Sequence, residues 1–208
     1  MWDNCGFAKI SRTDPRPVGL EHQLRLPLFS IPVFFISLPA SRRRIASGEI
    51  RLYRRGVKIL HLFISPDHNY TGHFGKPAGE NPIVEVDEIE CVAGSGIQGD
   101  RFFDYKPDYK GQITFFAMET HLRLCGKFGV TDKGPDIYRR NIIVEGTDLN
   151  ALIGKEFSVQ GVKFLGTEEA KPCFWMDQAF AKGAEKALRG SGGLRAKILT
   201  DGTLSRKI

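Results

Sequence analysis

The residues with the clearest chemical potential lie near the end of the chain, where a cysteine stands between a lysine and a glycine-rich loop. Lys171-Pro172-Cys173 is followed by Arg189-Gly190-Ser191-Gly192-Gly193-Leu194-Arg195. A cysteine is a nucleophile or metal ligand only as the thiolate, and its usual pKa of about 8.5 falls beside cations or at a helix N-terminus. Because Pro172 suits the first helical position and residues 174–180 can continue as a short helix, we expect Cys173 in the first helical turn. From these residues alone, a small buried hydrophobic side chain is an equal alternative.

The glycine-rich loop has the composition of an anion-binding site. Glycines at 190, 192 and 193 let the backbone approach a ligand closely, and consecutive N–H groups form a concavity for anions. Arg189 and Arg195 bracket the loop with guanidinium groups that match phosphate oxygens. The spacing fits neither the P-loop nor the dinucleotide fingerprint, so a tight turn before a strand is also compatible with it.

Further polar clusters occur upstream, at Gly99-Asp100-Arg101 and at Arg139-Arg140-Asn141. Each cluster alone is compatible with a solvated or ion-paired surface. Taken in chain order with the other motifs, however, they resemble the MOSC domain, which is named after the C-terminal part of molybdenum cofactor sulfurases, and especially its small stand-alone bacterial members. The resemblance runs from about Lys58 to the C-terminus. It is carried, in order, by Gly99-Asp100-Arg101, Gln112-Ile113-Thr114, Arg140-Asn141-Ile142 with Glu145-Gly146, Leu149-Asn150-Ala151-Leu152-Ile153-Gly154, Pro172-Cys173 and Gly192-Gly193-Leu194-Arg195.

This resemblance implies a mostly β, barrel-like MOSC fold with a few peripheral helices that binds the molybdenum cofactor (molybdopterin), a pterin with a phosphate and a dithiolene-held metal. It also implies that Cys173 is the catalytic residue, either carrying sulfur as a persulfide or ligating molybdenum. Some members have another thiol shortly after this cysteine, whereas Phe174-Trp175-Met176 follow here, so a local resolving cysteine is not expected. The residues expected to bind the cofactor are Gly99, Asp100, Arg101, Arg140, Asn141, Lys171, Gly192, Gly193 and Arg195.

Three functions are compatible with these residues. In the favoured one, Cys173 accepts sulfur from a cysteine desulfurase or another donor and passes it to a molybdoenzyme acceptor. In the second, the chain is a molybdenum-dependent reductase component that acts on N-hydroxylated substrates. Because no flavin or iron–sulfur motif is recognised, this reductase would need a separate electron-transfer partner. In the third, the chain is a non-catalytic cofactor-binding module.

Charge divides the chain into two parts. The 208 residues have a net charge of +6, and residues 1–57 hold ten basic and four acidic side chains, so the whole excess lies there. We expect residues 1–57 to be a basic extension, either poorly ordered or derived from an early start-codon assignment, and residues 58–208 to form the MOSC domain. The balanced charge of that domain and the lack of a nucleic-acid motif argue against nucleic acid as the main partner. Prolines interrupt the apolar stretch 24–40, and an arginine cluster follows it, so we predict neither a membrane span nor a signal peptide.

The four cysteines, at positions 5, 91, 125 and 173, show neither a disulfide framework nor a zinc pair, which favours a cytoplasmic location. Cys91 ends an alternating run, and Cys125 recurs with Met118 and Leu122 at helical spacing, so we expect both thiols to be buried.

The hydrophobic pattern predicts short strands and two outer helical regions, near 117–128 and 173–188. Gly161 and Asp201-Gly202 predict turns, the second of them a hairpin. The loop from Ser65 to Pro82 is long enough to cover the site. Its candidate contact residues are His68, Tyr70, His73, Phe74 and Lys76, and a zinc site at the two histidines lacks a third ligand nearby. The strands are expected near 58–64, 83–91, 112–116, 141–145, 155–159, 162–167, 194–200 and 203–207.

Overall fold

The structure, a computed structural model, describes residues 57–70 and 76–207, and these form ten strands and three α-helices. The strands are β1 Lys58–Ile64, β2 Val84–Val86, β3 Glu88–Val92, β4 Gly96–Ile97, β5 Ile113–Ala117, β6 Ile142–Glu145, β7 Glu156–Val159, β8 Val162–Glu169, β9 Leu194–Ile198 and β10 Gly202–Ser205. The helices are α1 Met118–Phe128, α2 Trp175–Ala179 and α3 Ala184–Leu188. Strands predominate, which confirms the predicted mostly β fold with a few helices.

Seven strands form one mixed sheet, in the order β2-β1-β6-β5-β9-β8-β7, and the other three form a small sheet, β10-β3-β4. Neighbouring strands are antiparallel except for β5 and β6, which run parallel. Parallel neighbours need a long crossover connection, and α1 lies within it. Because β2 and β7 form the two edges of the described large sheet, it is open and resembles a barrel only loosely.

Strand β5 packs side chains into a hydrophobic cluster on each face of the large sheet. Ile113 and Phe115 belong to one cluster, whereas Phe116 belongs to a second cluster with Leu124 of α1. Successive side chains of a strand point to opposite faces, and each fully buried large apolar side chain contributes roughly 1.5–3 kcal/mol. Packing on both faces therefore fixes the position of Thr114, which lines the cavity described below.

One predicted strand and one predicted hairpin are wrong, both at places where the chain passes from one sheet to the other. The run 83–91 is not one strand but divides into β2 and β3, which lie in different sheets. Asp201-Gly202 does not form a hairpin, because β9 pairs with β5 and β8 while β10 pairs with β3. The Asp201 carboxylate instead accepts a hydrogen bond from the Ala93 N–H at 2.7 Å. The turn at Gly161 is confirmed, since Gln160 and Gly161 both have positive φ between the paired strands β7 and β8.

Helix α1 has the predicted extent but buries a different face. It ends at Gly129, whose φ of 66° is the left-handed conformation that terminates many helices. Its buried residues are His121 and Leu124, whereas Leu122 is 62% exposed. Cys125 is therefore only partly buried, and the prediction of a buried thiol is wrong at this position.

The predicted helical region over 173–188 contains two short helices rather than one. Gly183, with φ of 92°, directly precedes α3. In the first turn of α3, the Glu185 N–H donates a hydrogen bond to the carboxylate of Asp177 in α2 at 2.7 Å. Cys91 is fully buried, as predicted, and burial raises the pKa of its thiol to about 12.

Residues 1–56, which include Cys5 and the apolar stretch 24–40, lie outside the described residues, as do His73 and Phe74 of the long loop. Across residues 57–70 and 76–207, none of the helices has the length and apolar character needed to cross a bilayer.

Candidate functional site

An open cavity of about 180 Å³ has Cys173 in its wall, together with five cationic residues. These cations are Arg101, Arg139, Arg140, Lys171 and Arg195. Four of the five are predicted site residues, and Arg139 is not. The fold therefore brings together side chains that are separated by as many as 94 positions in the sequence, from residue 101 to residue 195.

Cys173 is exposed and lies two residues before α2. The predicted location within the first helical turn is wrong, because the helix begins at Trp175. The Cys173 carbonyl accepts the Met176 N–H at 2.9 Å, so the cysteine leads into the helix without belonging to it. Of the two predicted sources of positive potential at the sulfur, the cations around the cavity remain, whereas a position in the first helical turn does not.

Arg140 connects the cysteine segment to the glycine loop. Its Nη2 donates to the carbonyl of Ala170 at 2.7 Å, its Nε to the carbonyl of Gly192 at 3.2 Å, and its Nη1 to the carbonyl of Tyr138 at 3.2 Å. Burial is the largest of the effects that lower the pKa of Arg140 to about 10, so its guanidinium is still charged at neutral pH. Arg140 therefore has a positioning role for the segment before Cys173 as well as a charge at the cavity.

Gly192 and Gly193 allow the glycine loop to pack closely against other backbone segments. A Cβ atom at Gly192 would lie 2.6 Å from the Ala170 carbonyl oxygen, and one at Gly193 would lie 2.3 Å from that of Phe115. The Ala170 N–H donates to the Gly193 carbonyl at 2.8 Å. Neither glycine is among the described lining residues, so their observed close contacts are with the protein itself.

Asp100 and Asn141 form a buried network behind the cavity wall. The Asp100 Oδ2 accepts from the Ser65 N–H at 3.1 Å and from the Asn141 side-chain amide at 3.2 Å. The Thr114 hydroxyl donates to the Asn141 Oδ1 at 2.8 Å. These two residues hold lining side chains in position, and Gly99, with φ of 80°, lies in the turn directly before Asp100. None of the three is among the described lining residues.

Arg101 and Arg195 each have a carboxylate partner. Arg101 lies 3.4 Å from Asp100, and Arg195 lies 3.0 Å from Glu168. The Arg101 guanidinium also lies 5.0 Å from the centre of the Phe102 ring, and burial lowers its pKa. Its side chain is only 9% exposed, so its position is fixed by protein contacts on several sides.

Arg139 is the lining cation that the sequence does not single out. Its guanidinium donates to the Ser65 hydroxyl at 2.5 Å and to the carbonyls of Asp67 at 2.9 Å and Asn81 at 3.0 Å. Across the described part of the chain, Arg139 and Arg140 donate only to uncharged oxygens. The cavity therefore carries positive charge that no contacting carboxylate neutralises, which suits an anionic ligand. The only signal for Arg139 is its place in the same basic pair as Arg140.

Aromatic side chains flank the cations, and two of them belong to the long loop from Ser65 to Pro82. Tyr70 stacks on Trp175 of α2, with 5.1 Å between ring centres and 20° between ring planes. His68 meets the Phe102 ring edge-on at 4.8 Å, and burial lowers the pKa of His68. The described parts of the loop thus contribute flat surfaces to the cavity that Cys173 lines.

No cluster of three or more potential metal-ligating His, Cys, Asp or Glu side chains occurs in the ranges 57–70 and 76–207. The hypothesis of zinc at His68 and His73 rests on one residue outside these ranges.

No protein-family model matches the sequence, and no curated protein matches it significantly. Solved structures with a similar fold include the YuaD protein from Bacillus subtilis, with 20% identity, a TM-score of 0.53, and coverage of 72% of this chain and 91% of that one. They also include YiiM from Geobacillus stearothermophilus, with 11% identity, a TM-score of 0.53, and coverage of 72% of this chain and 71% of that one. At these identities the similarity concerns the fold alone. The chain has a MOSC-like fold.

Proposed function

We propose that this chain is a MOSC-domain protein that binds the molybdenum cofactor and carries or transfers sulfur as a persulfide on Cys173. The observation that supports this most directly is the exposed Cys173 in one cavity with Arg101, Arg140, Lys171 and Arg195. The MOSC-like fold and the ordered motifs agree with this proposal.

The side chains of the cavity fit the chemical groups of that cofactor. Guanidinium groups bind phosphate oxygens with two matched donors, and the Arg140 charge has no contacting carboxylate among the described residues. The rings of Phe102 and Tyr109, stacked at 5.3 Å, offer a flat apolar surface for a pterin. The Cys173 thiolate is a soft ligand of the kind that transition metals accept. When bound, the cofactor would supply the redox chemistry of molybdenum.

Sulfur uptake requires only an exchange between thiols. The Cys173 thiolate attacks the outer sulfur of a donor persulfide, such as that of a cysteine desulfurase, and forms a new S–S bond. The donor's S–S bond breaks, and its cysteine leaves as a thiolate that takes up the proton of the transferred outer sulfur, so that Cys173 carries a persulfide anion. A nucleophile of the acceptor, proposed to be a molybdoenzyme, then attacks the outer sulfur, and Cys173 leaves as the thiolate. Neither exchange needs an external oxidant or reductant.

The cations support this chemistry by stabilising negative sulfur. A persulfide anion on Cys173 would face a cavity whose Arg140 charge is held in place by three carbonyl oxygens. Because these donors are fixed before the sulfur arrives, their orientation costs little at the time of reaction. The exposed position of Cys173 leaves the sulfur accessible to a partner protein.

Mass spectrometry after incubation with a cysteine desulfurase and cysteine tests the proposal. We expect an addition of about 32 Da, the mass of sulfur, on the peptide that contains Cys173. Cys173→Ala should abolish the addition, and Cys125→Ala, which removes a partly buried thiol of α1, should retain it. Absence of the addition, together with molybdenum that is retained by the wild type and lost in Cys173→Ala, would favour the reductase. Absence of the addition with no such loss would favour the binding module.

A further inference from the structure

The long loop from Ser65 to Pro82 contributes His68 to the wall of the Cys173 cavity. Neither imidazole nitrogen of His68 has a hydrogen-bond partner among the described residues. In the same ranges, no buried side-chain nitrogen or oxygen lacks a partner, so both imidazole nitrogens reach accessible space. Nothing in the proposed sulfur chemistry uses this side chain. The imidazole is therefore a polar group of the cavity whose hydrogen bonds are available to a ligand.

Reciprocal hydrogen bonds between Asn69 and Asn81 close the base of this loop. The Asn69 side-chain amide donates to the Asn81 carbonyl at 3.0 Å, and its oxygen accepts the Asn81 N–H at 2.8 Å. Arg139 donates to the same Asn81 carbonyl at 3.0 Å and to the carbonyl of Asp67 at 2.9 Å. Two segments that are twelve residues apart in the sequence are thus held together directly beside His68.

The backbone and the ring of His68 are both held in place. Its N–H donates to the Asp67 carboxylate at 2.6 Å, and its carbonyl accepts from the Asn81 side-chain amide at 3.2 Å. Its ring lies 4.8 Å from the centre of the Phe102 ring and 6.3 Å from that of Tyr105, edge-on in both cases. Because the imidazole is fixed before a ligand arrives, little conformational freedom is lost when it binds one.

The imidazole of His68 is neutral at pH 7. Burial is the largest cause of the lowered pKa of His68, and the charge of Arg101 is the next. The carboxylates of Asp67 and Asp100 oppose this effect, while the charge of Arg139 adds to it. A neutral imidazole has one N–H donor and one nitrogen acceptor. His68 can therefore both donate and accept a hydrogen bond at the cavity.

The cations of the cavity and His68 suit different parts of one ligand. Guanidinium groups match the charged oxygens of a phosphate, whereas a neutral imidazole matches an uncharged heterocycle that carries N–H and carbonyl groups. Two other uncharged lining groups, the Asn69 amide and the Thr114 hydroxyl, already have protein partners. A pterin has ring nitrogens, a carbonyl and an amino group, so its edge offers what His68 can bind.

We propose that His68 is a specificity-determining residue that hydrogen-bonds the polar edge of the ligand's pterin, an inference that rests on the proposed function. Asn81 is a positioning residue, because its side-chain amide holds the His68 carbonyl. The cavity thereby selects a ligand with a heterocycle over one that offers phosphate alone.

Titration of the full chain with pterin, followed by pterin fluorescence, and with inorganic phosphate, followed by calorimetry, tests this role. His68→Phe keeps an aromatic ring but removes both nitrogens. It should weaken pterin binding by about five- to tenfold and leave phosphate binding unchanged. His68→Gln keeps one donor group and one acceptor, so it should weaken pterin binding by less than about threefold.

A double-mutant cycle with Asn81→Ala tests the positioning role. In the wild-type background, Asn81→Ala should weaken pterin binding by about threefold. In the His68→Phe background, the same change should weaken it by less than about 1.5-fold, because the side chain that Asn81 positions is already absent. Equal losses in both backgrounds would refute the positioning role of Asn81.

His61→Phe is the matched control, because it removes an imidazole of β1 that does not line the cavity. The control should bind both probes as the wild type does. Pterin binding that is absent from the wild type, unchanged in His68→Phe, or reduced equally in His68→Phe and His68→Gln would overturn the inference. A parallel loss of phosphate binding in His68→Phe would also overturn it.

The same variants separate this inference from the proposed function. Sulfur uptake on Cys173 by a protein whose pterin binding does not depend on His68 would overturn the inference alone. Pterin binding that depends on His68, in a protein that takes up neither sulfur nor molybdenum, would support the inference and refute the proposed function.

Discussion

Replacement of Arg140 by methionine is the perturbation that best separates a positioning role from a purely electrostatic one. The methionine keeps much of the side-chain length but donates no hydrogen bond. Three carbonyl oxygens, those of Tyr138, Ala170 and Gly192, would lose their guanidinium donors. The segment before Cys173 would then lose its guanidinium link to the glycine loop, while the hydrogen bonds from the Ala170 N–H to the Gly193 carbonyl and from the Gly192 N–H to the Glu169 carboxylate would remain.

The magnitude follows from these contacts. Hydrogen bonds to charged groups contribute about 1.5–3 kcal/mol each, so three of them contribute at least roughly 4.5 kcal/mol. Burial of the guanidinium, followed by repulsion from Arg195 and Arg101, lowers the pKa of Arg140, and these unfavourable effects offset part of the stabilisation. We therefore expect Arg140→Met to reduce the free energy of unfolding by about 2–4 kcal/mol, which lowers the Tm by roughly 5–15 °C.

Urea unfolding followed by circular dichroism measures this loss. Arg189→Met is the matched control, because Arg189 is 68% exposed at its side chain and pairs only with Glu185 within one helical turn among the described residues. The control should change the free energy of unfolding by less than about 0.5 kcal/mol. A loss below about 1 kcal/mol in Arg140→Met, or equal losses in both variants, would refute the positioning role.

Three further predictions concern backbone geometry, pH and thiol reactivity. Gly193→Ala should destabilise the fold by about 2–4 kcal/mol, because its φ is 100° and the new Cβ would lie 2.3 Å from a β5 carbonyl oxygen. Gly190→Ala, with φ of 78° and no atom within 4 Å, should cost about 1 kcal/mol in the same urea titration, and equal costs would contradict the contact argument. Burial lowers the pKa of His121 below 6.5, so the unfolded chain takes up its proton first as the pH falls. The free energy of unfolding should therefore decrease from pH 7.5 to pH 5.5, and less steeply in His121→Gln; an unchanged slope in the variant would contradict this. Peptide mapping after maleimide labelling should find Cys173 modified in the folded protein and Cys91 only after unfolding, since Cys91 is fully buried with a thiol pKa of about 12. Rapid labelling of Cys91 in the folded protein would contradict its burial.

The sequence predicts the strands well where alternation is local. β1 agrees with the predicted range 58–64, and the turn at Gly161 is where the glycine places it. The failures occur where a distant partner decides the structure. Asp201-Gly202 has the local signature of a hairpin, but β10 pairs with β3, more than a hundred residues earlier.

At the candidate site, the sequence predicts which residue types are present, but it does not predict how each side chain is oriented. The ordered motifs predict Arg101, Arg140 and Arg195, and the structure places all three around one cavity. They do not distinguish a side chain that faces the cavity from one that lies behind its wall, such as Asp100. The sequence does not indicate Arg139, because its partners Ser65 and Asn81 lie more than fifty residues earlier in the chain and only the folded structure brings them together.

Metal analysis of the protein purified from a host that makes the molybdenum cofactor tests most directly the central claim that Cys173 and its surrounding cations form the cofactor site. The wild type is predicted to retain molybdenum, Cys173→Ala to lose most of it, and Cys125→Ala to retain it at the wild-type level. Molybdenum absent from the wild type, or retained equally by Cys173→Ala, would contradict the assignment of Cys173 and its surrounding cations as the cofactor site.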